Sequence, residues 1–192
     1  MNVLIIPEDF RKDQYILKPL FLRLFRALGR RRVRVDICRA PLLGGIGEAL
    51  KSERMAEVVG KHRGMTDIFI LCVDRDGDTN RRQSLDRLEA KFDDGQTTFL
   101  AENAWEELET WVLAGLDLPA GWHWQTVRAE IQVKETYFEP LVEQRNVSQA
   151  PGGGRKPLAE EAARRIDAIR QKCPEDFDAL ARRLEVAVQT GP

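Results

Sequence analysis

Asp74, Asp76 and Asp78 occupy alternate positions directly after the apolar run Ile68-Phe69-Ile70-Leu71-Cys72-Val73. Carboxylates crowded this closely repel one another and resist ionisation unless a cation compensates, and hard divalent cations take oxygen ligands of this kind. The first expectation is therefore a divalent metal site for Mg²⁺ or Mn²⁺, set against a solvated turn, since Asp and Gly are ordinary turn formers. Two further acidic groups follow apolar runs: Glu8 and Asp9 after Asn2-Val3-Leu4-Ile5-Ile6-Pro7, and Glu102, Glu106 and Glu109 after Thr97-Thr98-Phe99-Leu100-Ala101. Projected at about 100° per residue, the last three fall within an arc of about 60°, so they are expected on one side of a helix. The alternative for them is a solvated acidic first turn, favoured by the helix dipole. Arg155 and Lys156 end the stretch Gln149-Ala150-Pro151-Gly152-Gly153-Gly154, which reads as a mobile loop. Its glycines and cations could close over a phosphate, or the loop could be plainly flexible.

The elements that must position these groups follow from periodicity. Ile68 to Val73 lacks polar alternation, as expected of a strand covered on both faces in a parallel sheet, and ligands bind at the carboxyl ends of such strands. Asn2 to Ile6 is a second strand of this type, and Val33 to Cys38 alternates like a strand nearer an edge. Asp13 reads as the N-cap of a helix over about residues 14 to 28, with Gly29 as its stop and Pro19 as a kink or late start. Helices are also expected over about 48 to 59 and 81 to 92, and Thr97 to Ala101 as a short strand. This alternation predicts a three-layer α/β core with a mainly parallel, Rossmann-like sheet of about four strands over residues 1–118. Residues 119–192 read as a helical extension packed on that core, with helices near 124–131, 137–144, 157–172 and 176–189. The loop Pro41 to Gly47 is not a Walker loop, because no Gly-Lys-Ser/Thr ends it.

Composition narrows the function. A chain of 192 residues with 43% hydrophobic and 32% charged residues can bury a proper core. With 30 basic and 31 acidic residues, no global field commits it to nucleic acid, and the run Arg30 to Arg34 reads as a solvated loop or a local phosphate contact. Cys38, Cys72 and Cys173 are odd in number and far apart, which points to reduced thiols and a cytoplasmic protein. No secretory leader or membrane-spanning run is apparent, and the sequence leaves open whether the chain forms a homo-oligomer.

A Glu after the first strand followed by Asp-X-Asp after a later one resembles the TOPRIM domain of topoisomerases, primases and OLD-type nucleases. The segments Ile5-Ile6-Pro7-Glu8-Asp9-Phe10 and Ala101-Glu102-Asn103-Ala104-Trp105-Glu106-Glu107-Leu108-Glu109 are similar to the small, largely uncharacterised TOPRIM-like proteins of bacteria, often encoded beside an ATPase. The resemblance covers about residues 1–118. It implies Glu8 as acid/base or metal-side carboxylate, Asp74 and Asp76 as metal ligands and catalytic residues, Asp78 as an extension of the Asp series at the ion, and Glu109 with Glu102 or Glu106 as supporting carboxylates. Asp9 stands where many members carry Gly, so either Glu8 or Asp9 can fill the first position. No tyrosine has a topoisomerase context, and metal-assisted hydrolysis of a nucleic-acid phosphodiester remains, with DNA as substrate, an ATPase as partner and phage defence as a setting. Two other readings stand beside it. One is a non-catalytic subunit using its acidic edge to bind a partner. The other is a haloacid-dehalogenase-type phosphatase, which expects its Asp-X-Asp on the first strand and leaves Glu8 without a role.

Overall fold

The computed structural model describes residues 1–190. Four strands, β1 (Asn2–Pro7), β2 (Arg34–Ile37), β3 (Ile68–Asp74) and β4 (Thr98–Ala104), form one all-parallel sheet in the order β2-β1-β3-β4. The two strands with uninterrupted apolar runs take the centre. In β3, Ile68, Ile70 and Cys72 point to one layer while Phe69, Leu71 and Val73 point to the other. In β1, Val3 and Ile5 oppose Leu4 and Ile6 in the same way, so both faces are dry. The short β2 lies at one edge, as its alternating pattern predicts.

One outer layer is α3 (Ser52–His62) with α4 (Arg81–Phe92), closing over Phe69 and Leu71 through Met55, Val58, Leu85 and Leu88. A single-turn helix, α2 (Ile46–Ala49), precedes them. The other layer is built on α1 (Phe10–Ala27) and α5 (Glu109–Gly115). α1 starts earlier than its apolar spacing suggests, because Asp9 is the N-cap and accepts from the Arg11 N–H at 2.9 Å. Asp13, read from the sequence as the cap, lies inside the first turn, where its Oδ2 accepts the Asp9 N–H at 2.8 Å. Pro19 sits within the helix without ending it.

The remaining chain is helical: α6 (Trp124–Ala129), a π-helical turn (Lys134–Phe138), α7 (Glu139–Gln144), α8 (Arg155–Ala163), α9 (Ile166–Lys172) and α10 (Phe177–Thr190). These helices share a continuous apolar cluster with α1, α5 and the sheet: Phe177 lies against Phe21 and Trp111, with ring centroids 6.4 and 5.1 Å apart. α8 crosses α5 so closely that a Cβ on Gly115 would stand 2.7 Å from the Ala162 carbonyl oxygen. The three cysteines are buried and unbridged. Among the described residues no helix is long and apolar enough to cross a membrane.

The free edge of β4 is closed by side chains. Arg82 and Arg183 donate to the Ala101 carbonyl at 2.8 and 3.0 Å, and Glu89 accepts the Ala101 N–H at 2.6 Å. Glu102 holds both guanidiniums in place, at 3.0 Å to Arg82 and 2.7 Å to Arg183. An unpaired strand edge invites pairing with another chain, and this clamp removes it.

Candidate active site at the carboxyl ends of the central strands

β1 and β3 end side by side, and the chain turns each end into a carboxylate. Pairing between the two runs to Pro7↔Cys72, so Glu8 and Asp74 leave the sheet at the same edge. Asp74 is half-buried, and its Oδ1 accepts the Leu108 N–H at 2.8 Å, which ties β3 to the entry of α5. Burial, then the charges of Glu109, Asp13 and Glu8, push its carboxyl well above the usual carboxylate range. Glu8 is raised by burial and by Asp76, and is opposed by the backbone N–H groups of Asp74 and Ile46 and by Arg81. Its Oε2 is buried and finds no hydrogen-bond partner among the described residues. Asp9 caps α1, whereas Glu8 adjoins Asp74 and Asp76 directly.

The Asp-X-Asp segment is held from β4 rather than by a metal-like arrangement of its own. Glu106 takes a left-handed backbone, φ 66°, and its carbonyl accepts from Arg75 N–H at 2.7 Å and Asp76 N–H at 3.2 Å. Its carboxylate accepts the Gly77 N–H at 2.6 Å and pairs with Arg75 at 3.2 Å. Asp76 and Gly77 also have positive φ, 51° and 68°, which Asp and Gly tolerate. This turn leaves Asp76 exposed beside Glu8. Asp78 turns away, accepting the Asn80 N–H at 2.8 Å and facing Arg81 at 3.7 Å, as a helix-entry residue.

Three expected site residues have other partners. β4 runs on to Ala104, because its pairing with β3 continues to Asp74↔Ala104. Glu102 therefore lies in a strand, Glu106 in a turn and Glu109 in the first turn of α5, and the helical stripe drawn through all three does not exist. Glu102 is the edge clamp described above; burial pushes its carboxyl up to about 7 against the pull of Arg82 and Arg183. Glu109 does face Asp13 and Asp74, but it is paired with Arg155 at 2.5 and 3.0 Å. Arg155 is thus a buried structural cation, 7% exposed and stacked 5.6 Å over the Phe138 ring, and not a free phosphate contact at a mobile loop end. Its neighbour Lys156 is exposed, 3.9 Å from Glu160.

Asp13 is the residue that the sequence reading missed. Its value as a cap and its value as a site group look identical in one dimension. In the fold, one turn into α1, burial pushes its carboxyl up to about 7, and the charges of Glu109, Asp9 and Glu8 add to this. A carboxyl raised in the folded state stabilises the fold fully below its ordinary range, and that contribution is lost as pH rises through about 7. The melting temperature in EDTA is therefore expected to fall between about pH 4 and pH 7, and Asp13→Asn to flatten part of that fall. Glu102 and Glu107, also raised to about 7 by burial, leave a residual slope in the variant. An unchanged profile in Asp13→Asn would remove Asp13 from the coupled cluster.

Among the described residues, no group of three or more His, Cys, Asp and Glu is arranged to hold a metal ion. What the edge offers is narrower: Glu8 with one orphaned oxygen, exposed Asp76, half-buried Asp74 behind them, and Arg81 with a buried Nε that also lacks a partner. No protein-family model, curated protein or solved structure matches the chain.

Proposed function

We propose that this chain is a Mg²⁺-dependent nucleic-acid phosphodiesterase of the TOPRIM-like kind, acting on DNA together with an ATPase partner. The observation that carries the reading is the orphaned Glu8 Oε2 at the carboxyl end of a central parallel strand, among Asp13, Asp74 and Asp76. Buried acceptors without partners are uncommon, and a cation satisfies one directly. Mg²⁺ keeps several waters and is commonly bound by one or two carboxylates plus substrate phosphates rather than by an all-protein cage. Glu8 and Asp76, backed by Asp74, fit that substrate-completed mode; they do not fit a closed cage.

Bound there, the ion would supply Lewis-acid polarisation and charge neutralisation at a phosphoryl group. The chain's own groups do the rest. Asp13, whose carboxyl is pushed up to about 7, can hold or release a proton at neutral pH beside Glu8. Arg81 lies close enough to Glu8 to lower its carboxyl pKa, so it tempers the negative charge of the cluster. The Glu106 clamp fixes the Asp76 turn, so the carboxylates are positioned before any ligand arrives. The ATPase partner is what the resemblance to bacterial TOPRIM-like proteins implies.

Glu8→Gln tests this reading with two measurements. Titration with Mn²⁺ in the presence of a phosphorothioate oligonucleotide should give binding to the wild type and at least a tenfold loss in the variant, on the order of one lost charged ligand. Metal-dependent cleavage of DNA should disappear in the same variant. Equal Mn²⁺ affinity in both proteins would place the ion elsewhere. The non-catalytic reading is favoured by a specific observation, the neutralisation of Glu109 by Arg155, which leaves fewer free carboxylates than a nuclease cage would use. Inactivity with Mn²⁺ and partner both present would decide for it.

A further inference from the structure

A groove of about 630 Å³ runs between α1 and α8, on the surface that the C-terminal helices add to the core. Its floor includes Tyr15, Pro19 and Leu22 of α1 and Ala163 of α8. Its rim carries Lys18, Arg23, Arg26, Lys156 and Arg164, all exposed, with Glu160 as its one carboxylate. Several arginines elsewhere are paired: Arg34, Arg54, Arg63, Arg82, Arg128 and Arg165 each meet a carboxylate within 3.1 Å. Lys18, Arg23, Arg26 and Arg164 meet none among the described residues, and Lys156 only the 3.9 Å contact with Glu160. Five exposed cations thus line one groove of a chain whose net charge is −1.

The groove also has a direction. Its α1 wall begins at Gln14, the residue after Asp13, and its α8 wall at Lys156, the residue after the Arg155 that holds Glu109. From there it follows α1 to Arg26, twelve residues on, which is about 18 Å of helix. One end therefore borders the acidic edge and the other leads away from it. Lys18, Leu22 and Arg26 recur at intervals of four on one side of α1, so this wall carries a cation at each end with an apolar residue between them.

We propose that this groove binds the phosphodiester backbone of a single nucleic-acid strand and leads it to the carboxylates at Glu8; the strand's identity as substrate rests on the function proposed above, whereas its binding to the groove does not. Phosphates occupy the cationic rim, and the Tyr15 ring and Leu22 offer a face to unstacked bases. Three of the five rim cations are arginines, whose planar forks match phosphate oxygens. The rim is too short for the many contacts of strong duplex binding and suits a strand segment of a few nucleotides. This supplies the chain with a local basic track that its near-neutral composition conceals.

The test is fluorescence anisotropy with a labelled oligothymidylate in EDTA, over a range of salt, comparing the wild type with Arg23→Glu/Arg26→Glu and with Glu8→Gln. Both substituted arginines are exposed, so an unchanged circular-dichroism melt is the folding control. The expected result is a loss of roughly tenfold or more in the double variant, with the slope of log K against log salt shallower by about 0.7 for each cation removed. Glu8→Gln should retain binding in EDTA. Wild-type affinity and slope in the double variant would overturn the proposal. So would polyglutamate that competes as well as the oligonucleotide, which would assign the groove to an acidic protein segment. Binding that depends on the groove without any metal-dependent cleavage leaves the groove standing and removes the proposed hydrolysis; cleavage that is indifferent to the groove variants does the reverse.

Discussion

Asp74→Asn is expected to lower metal-dependent cleavage by at least about a thousandfold while leaving the fold intact, because the charge of a metal-side carboxylate contributes several kcal/mol to the transition state. The asparagine retains an acceptor for the Leu108 N–H, which Asp74 Oδ1 now meets at 2.8 Å. It also removes one of the mutually repelling carboxyls: Asp74 is pushed well above the usual range by burial, Glu109, Asp13 and Glu8. Its melt in EDTA at neutral pH should therefore equal or exceed that of the wild type. Asp74→Ala behaves differently, since it strands the Leu108 N–H at a cost of about 1–3 kcal/mol. The pair separates charge from hydrogen bonding. If the asparagine variant melts well below wild type without metal, Asp74 is a structural residue and its assigned role is wrong.

The second large effect lies far from the motif in sequence. Asp176, 2% exposed, precedes α10 and accepts four hydrogen bonds: from Trp105 N–H at 2.8 Å, Trp111 Nε1 at 2.7 Å, and Arg128 Nη1 and Nη2 at 3.3 and 2.8 Å. Removing it leaves the largely buried Arg128 guanidinium with only the exposed Glu175 at 2.9 Å and strands the Trp105 and Trp111 N–H groups, which costs about 3–5 kcal/mol for a broken ion pair of this kind. In a chain of this size that is a fall of roughly 6–20 °C in melting temperature for Asp176→Ala. The loss should also reach the site. Trp105, which carries Arg75 4.1 Å and Arg128 5.2 Å from its ring, precedes the Glu106 turn that holds Arg75, Asp76 and Gly77. Asp176→Ala should thus weaken Mn²⁺ binding at temperatures where the protein remains folded. A normal melt, or unaltered Mn²⁺ affinity in a destabilised variant, would break this link between the C-terminal helices and the Asp-X-Asp turn.

That link also shows why the C-terminal segment could not be read as an accessory. From composition, the chain after Leu118 is an all-helical addition to an α/β core. In the structure its helices complete the layer on α1 and α5, and it supplies Arg128, Arg155, Asp176 and Arg183 to positions around the site and the β4 edge. None of the four belongs to a local pattern, since each acts on a residue at least 46 positions away.

The sequence by itself determined the sheet and the edge at which Glu8 and Asp74 emerge. Runs such as Leu4 to Ile6 and Ile68 to Val73 are apolar on both faces, which only a central parallel strand can use, and the carboxyl ends of such strands deliver Glu8 and Asp74 to one edge. Local chemistry also gave the helix over Arg81 to Phe92 and the edge position of Arg34 to Ile37. Tertiary structure decided what each charge does. Glu102, Glu106 and Glu109 look alike in one dimension, yet pairing of β4 with β3 puts the first in a strand against Arg82 and Arg183, a left-handed turn makes the second a clamp, and Arg155 neutralises the third. The reason is that a strand's length depends on its neighbour, and a buried carboxylate's role depends on which cation or N–H reaches it. Asp13 and the row from Lys18 to Arg26 are the converse case. Helical spacing alone places them on a helix, and only the packing of α1 against α8 and β1 turns one into a buried carboxyl near Glu8 and Glu109 and the other into the wall of a groove.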